Sequence, residues 1–184
     1  MINDYSVIIP TKNQSIYIED SINSVLSQTI SPREIIIIND NSEDDTLQKC
    51  EIIFKNRNFK NFKIFNNQVS LGPAKSRNIG IMNNKSEFIA FLDSDDYWEK
   101  NKIEEQFKKF EKPNFLNLGI VYTSHNFLIN NKIHSNFNNS QIAKYRGYLF
   151  YKLLTGNYVS GSCSSVLCKK EVFEICGNFS ENNE

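Results

Sequence analysis

The chain has 184 residues and balances 21 Lys and Arg against 21 Asp and Glu, a length that suits one domain with a sizeable core. Zero net charge disfavours a nucleic-acid partner, and no apolar run approaches the roughly 20 residues of a transmembrane segment. Because residues 1–4 also lack the basic start of a signal peptide, we expect a soluble, cytoplasmic domain. This expectation leaves room for peripheral contact with the inner face of the cell membrane.

Short apolar runs alternate with helical patterns in the first 110 residues. The opening run ends at Pro10, which cannot donate to a sheet ladder, and Glu34–Ile38 contains four consecutive isoleucines. Such an isoleucine run is typical of a parallel strand that is covered on both faces. The predicted order is strand 6–9, helix 15–29, strand 34–38, helix 42–55, strand 62–65, helix 73–83, strand 87–92 and helix 99–110.

This alternation predicts an α/β fold, with a Rossmann-like, mostly parallel, doubly wound sheet and helices on both faces. Beyond Pro113 the pattern loosens, and no internal repeat or linker divides residues 1–184, so we expect a single domain. The elements predicted there are strand 118–123, hairpin 127–134, helix 143–154, strand 164–168 and helix 169–176.

The four cysteines contain no C-x-x-C pair, and neither histidine stands at zinc-finger spacing from them. Cys163, Cys168 and Cys176 are close enough in sequence for a bridge. Plain buried or half-buried thiols are nevertheless the ordinary expectation for cysteines of this kind. His125 and His134 are treated as structural or surface residues.

Polar and acidic residues follow three of the predicted strands, at 10–13, 39–42 and 93–96. In open α/β sheets, ligands bind beyond the carboxyl ends of the strands, so these are the candidate site segments. The simpler alternative is that they are loop formers and helix caps. That alternative accounts for Ser42 and for Asp96, which stands at capping-box spacing from the next Glu.

Capping does not account for Asp93 and Asp95. Two carboxylates at positions i and i+2 of an extended chain point the same way and crowd like charge at one spot. Carboxylate oxygens suit a hard divalent ion that also binds substrate phosphates. The pair therefore predicts a site for Mg²⁺ or Mn²⁺.

Phosphate-binding sequence motifs are few. Neither a G-x-G-x-x-G after the first strand nor a P-loop is present. Lys75 and Arg77 fall in the opening turns of predicted helix 73–83, where the helix N-terminus favours anions. A solvated helix face is the alternative explanation for these two cations.

Taken in order, several segments resemble family 2 glycosyltransferases of the GT-A fold. The match is carried by residues 7–13, 24–29, 34–42, 72–78 and 91–98, and more loosely by 161–168 and 177–181. The resemblance implies a donor half in residues 1–98 and a partial acceptor-side half in 99–184. It also implies a C-terminal part that is truncated relative to the family pattern.

The resemblance further implies an inverting, metal-assisted transfer of a sugar from a nucleoside diphosphate, preferably a UDP-sugar. The acceptor would be a saccharide or lipid-linked saccharide of a bacterial surface polysaccharide. Pro10 and Thr11 would line the base pocket, and Asp40 would accept a hydrogen bond from the base. The remaining implied residues are Arg77 beside the nucleotide, Asp93 on the ribose side, Ser94 between the carboxylates, and Asp95 as the metal ligand.

The resemblance does not identify the general base in this chain. In the family it is usually an Asp that follows a Glu shortly after the stretch matched by 177–181, and Glu184 could be that Glu. A non-catalytic nucleotide-sugar-binding module, or a donor-binding fragment, is therefore the main alternative. A sugar nucleotidyltransferase is disfavoured because no Gly-rich loop follows the first strand. Trp98 and Tyr97 are expected to pack on the following helix rather than on a base.

Overall fold

The computed structural model describes residues 4–112, 117–129, 132–134, 143–156, 158–159 and 161–181. Its elements follow the predicted alternation of strands and helices along the first 110 residues. In chain order they are β1 Tyr5–Thr11, α1 Ile18–Leu26, β2 Glu34–Asn39, α2 Thr46–Asn56, β3 Phe62–Asn66, α3 Pro73–Asn83, β4 Phe88–Phe91, α4 Lys102–Phe110, β5 Ile120–Tyr122, β6 Phe127–Ile129, β7 Lys132–His134, α5 Phe150–Leu153, β8 Val166–Lys169 and α6 Glu171–Cys176.

Six strands form the central sheet in the order β3-β2-β1-β4-β8-β5. The first four are parallel, whereas β8 pairs antiparallel with both β4 and β5. The chain leaves β1 toward β2 on one side and returns to β4 on the other. The strand order therefore reverses between β1 and β4, which is where α/β sheets place their ligands. The hairpin predicted at 127–134 is present as the antiparallel pair β6–β7.

Both faces of the sheet are covered, as the isoleucine run predicted. Ile35 and Ile37 point into a core that includes side chains of α1, α2 and α4. Ile36 and Ile38 point to the opposite face, where Ile81 of α3 packs. Alternate side chains of a strand face opposite ways, so four fully buried isoleucines in sequence require two cores. The predicted α/β class with helices on both faces is confirmed.

Helix α3 lies unusually close to β1. A Cβ atom on Gly80 would collide with the side chain of Ile8, which is fully buried. Glycine at this position lets the helix approach the strand backbone. The close approach places the N-terminus of α3, at Gly72 and Pro73, beside the carboxyl end of β1.

Two predictions for the C-terminal part are wrong. The helix expected at 143–154 is confined to Phe150–Leu153, because Gly147 has a positive φ of 87° and the backbone of Tyr145 is bonded to Tyr122 instead. The strand expected from Ser164 begins at Val166, after a single 3₁₀ turn. Within the described ranges, no helix is long and apolar enough to cross a membrane.

The cysteines are free thiols. Cys50 and Cys168 are buried and Cys163 is half-buried, which confirms the ordinary expectation for three of the four. Cys176 is exposed, contrary to that expectation.

Helix α4 carries a buried lysine that no sequence pattern indicated. Lys102 is 8% exposed, donates a hydrogen bond from Nζ to Gln106 Oε1 at 2.8 Å, and lies 4.3 Å from the centre of the Trp98 ring. Burial lowers the pKa of Lys102 to about 7, because the charged ammonium loses its hydration. Between that value and the ordinary lysine pKa near 10, the unfolded chain binds more protons than the folded one.

We therefore expect the free energy of unfolding to rise with pH above 7 through Lys102. Relative to Lys102→Met, the unsubstituted chain should gain about 1–2 kcal/mol between pH 7 and pH 9. Urea unfolding at the two pH values measures this difference, with the exposed Lys100→Met as the matched control. A Lys102→Met variant whose stability changes with pH as the unsubstituted chain does would contradict the prediction.

Candidate functional site

A cavity of about 380 Å³ opens where β1, β2 and β4 end, next to the N-terminus of α3. It lies at the predicted edge of the sheet and brings together residues from four separate stretches of the chain. The seven site residues predicted from the sequence all line it: Pro10, Thr11, Asp40, Arg77, Asp93, Ser94 and Asp95. The other lining residues are Lys12 from candidate segment 10–13, Gly72, Pro73 and Ser76 from segment 72–78, and Ser70, which no sequence pattern indicated.

Asp93 is paired with an arginine of the protein. Arg77 Nη2 lies 2.5 Å from Asp93 Oδ1, and the two side chains are 13% and 24% exposed. The guanidinium of Arg77 also lies 5.8 Å from the centre of the Phe179 ring. Arg77 therefore compensates the negative charge of Asp93, one of the two crowded carboxylates. Asp93 has its charge partner within the chain, while Asp95 is exposed at the cavity.

Asp95 is the carboxylate best placed for a metal ion. No group of three or more His, Cys, Asp or Glu among the described residues could hold a metal by itself. Mg²⁺ and Mn²⁺ commonly use only one or two protein carboxylates and take their other ligands from substrate phosphates and water. An exposed carboxylate at the rim of a cavity that also contains Arg77 and Lys12 fits that arrangement.

Asp40 holds a loop together. Its Oδ1 accepts hydrogen bonds from Asn67 Nδ2 at 2.8 Å and from the Leu71 backbone N–H at 2.7 Å. Its Oδ2 accepts from Ser70 Oγ at 2.7 Å and from the Gly72 backbone N–H at 2.9 Å. These four bonds match the acceptor capacity of a carboxylate, so Asp40 fixes the loop that leads into α3.

The same four bonds set the acidity of Asp40. Burial alone raises the pKa of this carboxyl, because the charged form loses hydration. The bonds from the loop outweigh burial and hold the pKa below its ordinary value. Asp40 therefore stays ionised at neutral pH although it is only 5% exposed.

Three buried polar atoms around the cavity have no hydrogen-bond partner. Among the side chains that the structure describes, these atoms are Thr11 Oγ1, Ser76 Oγ and Arg77 Nε. Thr11 is 3% exposed and Ser76 is fully buried. Buried polar groups in folded proteins are nearly always bonded, and these three belong to residues that line one cavity, so a polar molecule there, an ordered water or a ligand, would complete their bonding.

Asp96 is not a helix cap, contrary to the sequence prediction. Helix α4 begins only at Lys102, and Asp96 Oδ2 accepts hydrogen bonds from Ser164 Oγ at 2.6 Å and Ser162 Oγ at 3.1 Å. Ser164 Oγ also accepts from the Asp93 backbone N–H at 2.9 Å. The 3₁₀ turn before β8 therefore fixes the turn that carries the acidic residues. No sequence pattern indicated this contact, because the two turns are almost 70 residues apart in the chain.

Ser42 is not a cap either. Helix α2 begins at Thr46, whose backbone N–H bonds to the side chain of Asp44 at 3.0 Å. Ser42 Oγ instead accepts from the Asn13 backbone N–H at 3.0 Å, while Asn13 Oδ1 accepts from the Glu43 N–H at 2.8 Å. These bonds join the loops that follow β1 and β2.

Trp98 packs as predicted. Its side chain is 5% exposed, its Nε1 donates to the Ser164 carbonyl at 2.9 Å, and Lys102 covers the ring. Tyr97 is 44% exposed, so only part of its side chain is covered. His125 contacts Phe127 edge to face, as expected of a structural residue, and the side chain of His134 lies outside the described residues.

The last described segment is fastened to α3. Asn78 donates from Nδ2 to the Phe179 carbonyl and accepts the Phe179 backbone N–H at Oδ1, both at 3.0 Å. Lys75 lies 3.5 Å from Glu181, so it pairs along the helix surface and does not line the cavity. Glu184, the residue considered beside the general base, lies outside the described residues.

The model of the family described as glycosyl transferase family 2 matches residues 6–175. An uncharacterised glycosyltransferase of Rickettsia conorii is 45% identical over 60% of this chain and 18% of its own length. The Escherichia coli UDP-Glc:alpha-D-GlcNAc-diphosphoundecaprenol beta-1,3-glucosyltransferase WfgD is 35% identical over 73% of this chain and 51% of its own length. The chain thus spans about half or less of these relatives.

Solved structures share the fold. S. aureus TarS 1–349 in complex with UDP superimposes with a TM-score of 0.72 and 23% identity, over 97% of this chain and 50% of TarS 1–349. The mannosyltransferase PcManGT of Pyrobaculum calidifontis, in complex with GDP-Man and Mn²⁺, has a TM-score of 0.69 and 17% identity. This superposition covers 97% of this chain and 48% of PcManGT. These likenesses confirm the predicted α/β, GT-A architecture.

Proposed function

Because the chain belongs to glycosyl transferase family 2, we propose that it transfers a sugar from a nucleoside diphosphate to an acceptor hydroxyl. The transfer proceeds with inversion and serves synthesis of a bacterial cell-surface glycan. The observation that carries this proposal is the convergence of three unpartnered buried polar atoms, on Thr11, Ser76 and Arg77, around one cavity. Such a cavity is built for a polar ligand, and a nucleoside diphosphate offers acceptors and donors for all three.

The donor nucleotide occupies this cavity in the proposal. Pro10 and Thr11 line the base pocket, and Arg77 and Asp93 lie toward the ribose, with Ser94 beside them. The resemblance implies that Asp40 accepts a hydrogen bond from the base, but its oxygens already accept four bonds from the loop, so in this proposal Asp40 shapes the pocket through that loop. UDP is the preferred nucleotide, since TarS has been solved with UDP and with UDP-GlcNAc. Residues 1–98 form the donor half, and residues 99–184 supply part of the acceptor side.

A divalent ion accompanies the donor, as Mn²⁺ does in the PcManGT complex. Asp95 would hold the ion together with the diphosphate, because its carboxylate is exposed at the cavity while that of Asp93 is paired with Arg77. When bound, Mg²⁺ or Mn²⁺ neutralises charge that develops on the departing diphosphate. Arg77 and Lys12 add fixed positive charge on the same side.

The reaction needs an acceptor hydroxyl on the face of the sugar opposite the diphosphate. Its oxygen bonds to the anomeric carbon as the bond to the diphosphate breaks, and its proton passes to a carboxylate base. Asn78 fastens segment 177–181 to α3, the helix whose N-terminus borders the cavity. The base itself is not assigned among the described residues. The acceptor is a saccharide or lipid-linked saccharide.

A non-catalytic nucleotide-sugar-binding module is the second candidate, because the same cavity would bind a donor whether or not transfer follows. Release of UDP from a UDP-sugar in the presence of Mn²⁺ separates the two. A transferase releases UDP in turnover or slow hydrolysis, whereas a module binds the donor and leaves it intact.

Calorimetric titration of UDP into the chain, with and without Mn²⁺, tests the donor site. We expect Mn²⁺ to tighten UDP binding by at least about tenfold, and Asp95→Asn to remove this enhancement while leaving the weaker metal-independent binding. Asp45→Asn, an exposed carboxylate outside the cavity, should behave as the unsubstituted chain does. An equal Mn²⁺ enhancement in Asp95→Asn would refute the assignment of the metal ligand.

A further inference from the structure

Charge is distributed unevenly along this neutral chain. Residues 112–170 contain seven Lys and Arg and no Asp or Glu, whereas residues 1–111 carry fourteen basic and seventeen acidic residues. This run of 59 residues carries a net charge of +7 in sequence, of which Lys169 and Lys170 pair with Glu171 and Glu174 of α6. Clustered positive charge of this kind favours an anionic partner.

Part of this region is an exposed stretch of chain that contains both cations and apolar side chains. Tyr148 and Tyr151 are 84% and 75% exposed, and Leu153 and Leu154 are 47% and 69% exposed. The cations Lys144, Arg146 and Lys152 are exposed in the same stretch. We call these residues the tyrosine–lysine surface: Lys144, Arg146, Tyr148, Tyr151, Lys152, Leu153 and Leu154.

The surface is an organised part of the fold. Lys152 Nζ lies 4.2 Å from the ring centre of Tyr145 and 5.4 Å from that of Tyr158. Tyr122 Oη, on β5, donates to the Tyr145 carbonyl and accepts the Tyr145 backbone N–H, both at 3.0 Å. These contacts fasten the stretch to the edge of the central sheet.

We propose that the tyrosine–lysine surface docks on an anionic lipid bilayer. Lys144, Arg146 and Lys152 would meet lipid phosphates, since each cation near an anionic membrane contributes to attraction. Tyrosine rings favour the level of the headgroups, and the two leucines would enter the boundary with the acyl chains. A soluble polyanion would pair with the cations but leave the leucines in water, so a bilayer accounts for both halves of the surface.

The docked surface would stand close to the cavity. Tyr158 precedes Ser164 by six residues, which span at most about 20 Å even when fully extended. Ser164 in turn bonds to the turn that carries Asp93 and Asp96. Through Lys152, which lies 5.4 Å from the Tyr158 ring, the surface is therefore within about 30 Å of the turn that carries Asp93. This proposal rests on charge and exposure and is independent of the proposed transferase activity.

Flotation of the full chain with vesicles tests the charged half of the proposal. We expect binding to vesicles of equal parts phosphatidylcholine and phosphatidylglycerol, and little binding to phosphatidylcholine alone. The triple variant Lys144→Glu, Arg146→Glu, Lys152→Glu should bind about 100-fold more weakly. The matched triple variant Lys55→Glu, Lys60→Glu, Lys85→Glu changes charge equally at exposed positions elsewhere and should bind within a few-fold of the unsubstituted chain.

A second variant tests the apolar half and leaves the Lys152 contacts in place. Tyr151→Ser with Leu154→Ser should weaken binding to anionic vesicles by about tenfold. The matched control, Ile52→Ser with Ile175→Ser, removes two exposed apolar side chains on α2 and α6 and should leave binding unchanged. Circular dichroism checks that each variant is folded.

Several results would overturn the proposal. Equal binding to neutral vesicles, or unchanged binding by the Lys144→Glu, Arg146→Glu, Lys152→Glu variant, would show that binding does not depend on lipid charge at this surface. Binding to inorganic polyphosphate without binding to vesicles would identify a soluble polyanion as the partner. Self-association that the Tyr151→Ser, Leu154→Ser variant abolishes, without vesicle binding, would identify a second copy of the chain.

Discussion

Asp40→Ala is expected to lower the free energy of unfolding by about 3 kcal/mol and to weaken UDP binding by at least about tenfold. The substitution leaves four donors, on Asn67, Ser70, Leu71 and Gly72, without the carboxylate that orders their loop. Ser70 and Gly72 line the cavity, so a disordered loop loses part of the nucleotide site. Urea unfolding measures the stability, and calorimetric titration of UDP measures the binding.

Asp40→Asn provides the graded comparison, because one of its two positions stays an acceptor while the other becomes a donor that faces donors. We expect its stability to fall between those of Asp40→Ala and the unsubstituted chain. Asp45→Ala, outside the cavity, should change neither quantity. If Asp40→Ala lost UDP binding at full stability, the carboxylate would act on the base, as the family resemblance implies, and not on the loop.

The contribution of Asp40 should also depend on pH in a defined direction. The pKa of Asp40 is held below its ordinary value in the folded chain, so its stabilisation is fully present above the unfolded pKa of about 4. It is lost as pH falls through the folded pKa. The stability difference from Asp40→Asn should therefore be constant above pH 5 and shrink in more acidic solution.

Trp98→Ala is expected to lower the free energy of unfolding by about 3–5 kcal/mol. The ring is buried under Lys102, and its N–H holds the Ser164 carbonyl, so its removal opens a cavity and frees the turn before β8. Trp98→Phe keeps most of the packing and loses the hydrogen bond, and we expect a smaller loss of about 1–2 kcal/mol.

Unfolding of these Trp98 variants must be followed by far-ultraviolet circular dichroism, because Trp98 is the single tryptophan of the chain. Ser24→Ala serves as a comparison that keeps the indole and removes a different hydrogen bond, since Ser24 Oγ accepts the Trp98 backbone N–H at 3.1 Å. Equal losses in Trp98→Ala and Trp98→Phe would contradict the packing argument and assign the effect to the hydrogen bond alone.

The strands and helices of the first 110 residues could be predicted because their signals are local and strong. Four isoleucines at 35–38 admit little but a doubly covered strand, and Pro73 marks the start of a helix whose predicted bounds of 73–83 match the structure. The helix expected at 143–154 had only scattered apolar residues to support it. A tertiary bond from Tyr122 to Tyr145 overrides such a weak pattern.

The location of the candidate site could be predicted from the sequence, whereas the hydrogen bonds that organise it could not. The strand-end rule placed Asp40, Asp93 and Asp95 at one cavity, and the structure does so as well. Capping spacing failed at Ser42 and Asp96, because a short polar side chain serves a distant partner as readily as its own helix. Ser76 was missed because a buried serine in a helix has no sequence pattern of its own.

The position of β8 between β4 and β5 affects how the chain folds while it is being synthesised. Seventy-eight residues separate the end of β4 at Phe91 from the end of β8 at Lys169, the strand that covers its edge. At typical rates of translation the ribosome needs roughly 4 to 16 s to add them. During that interval an apolar strand edge stands open beside an already paired sheet, the kind of edge at which nascent chains misassemble. Yield in a foreign host should therefore respond to slower synthesis or to chaperones that bind extended apolar segments.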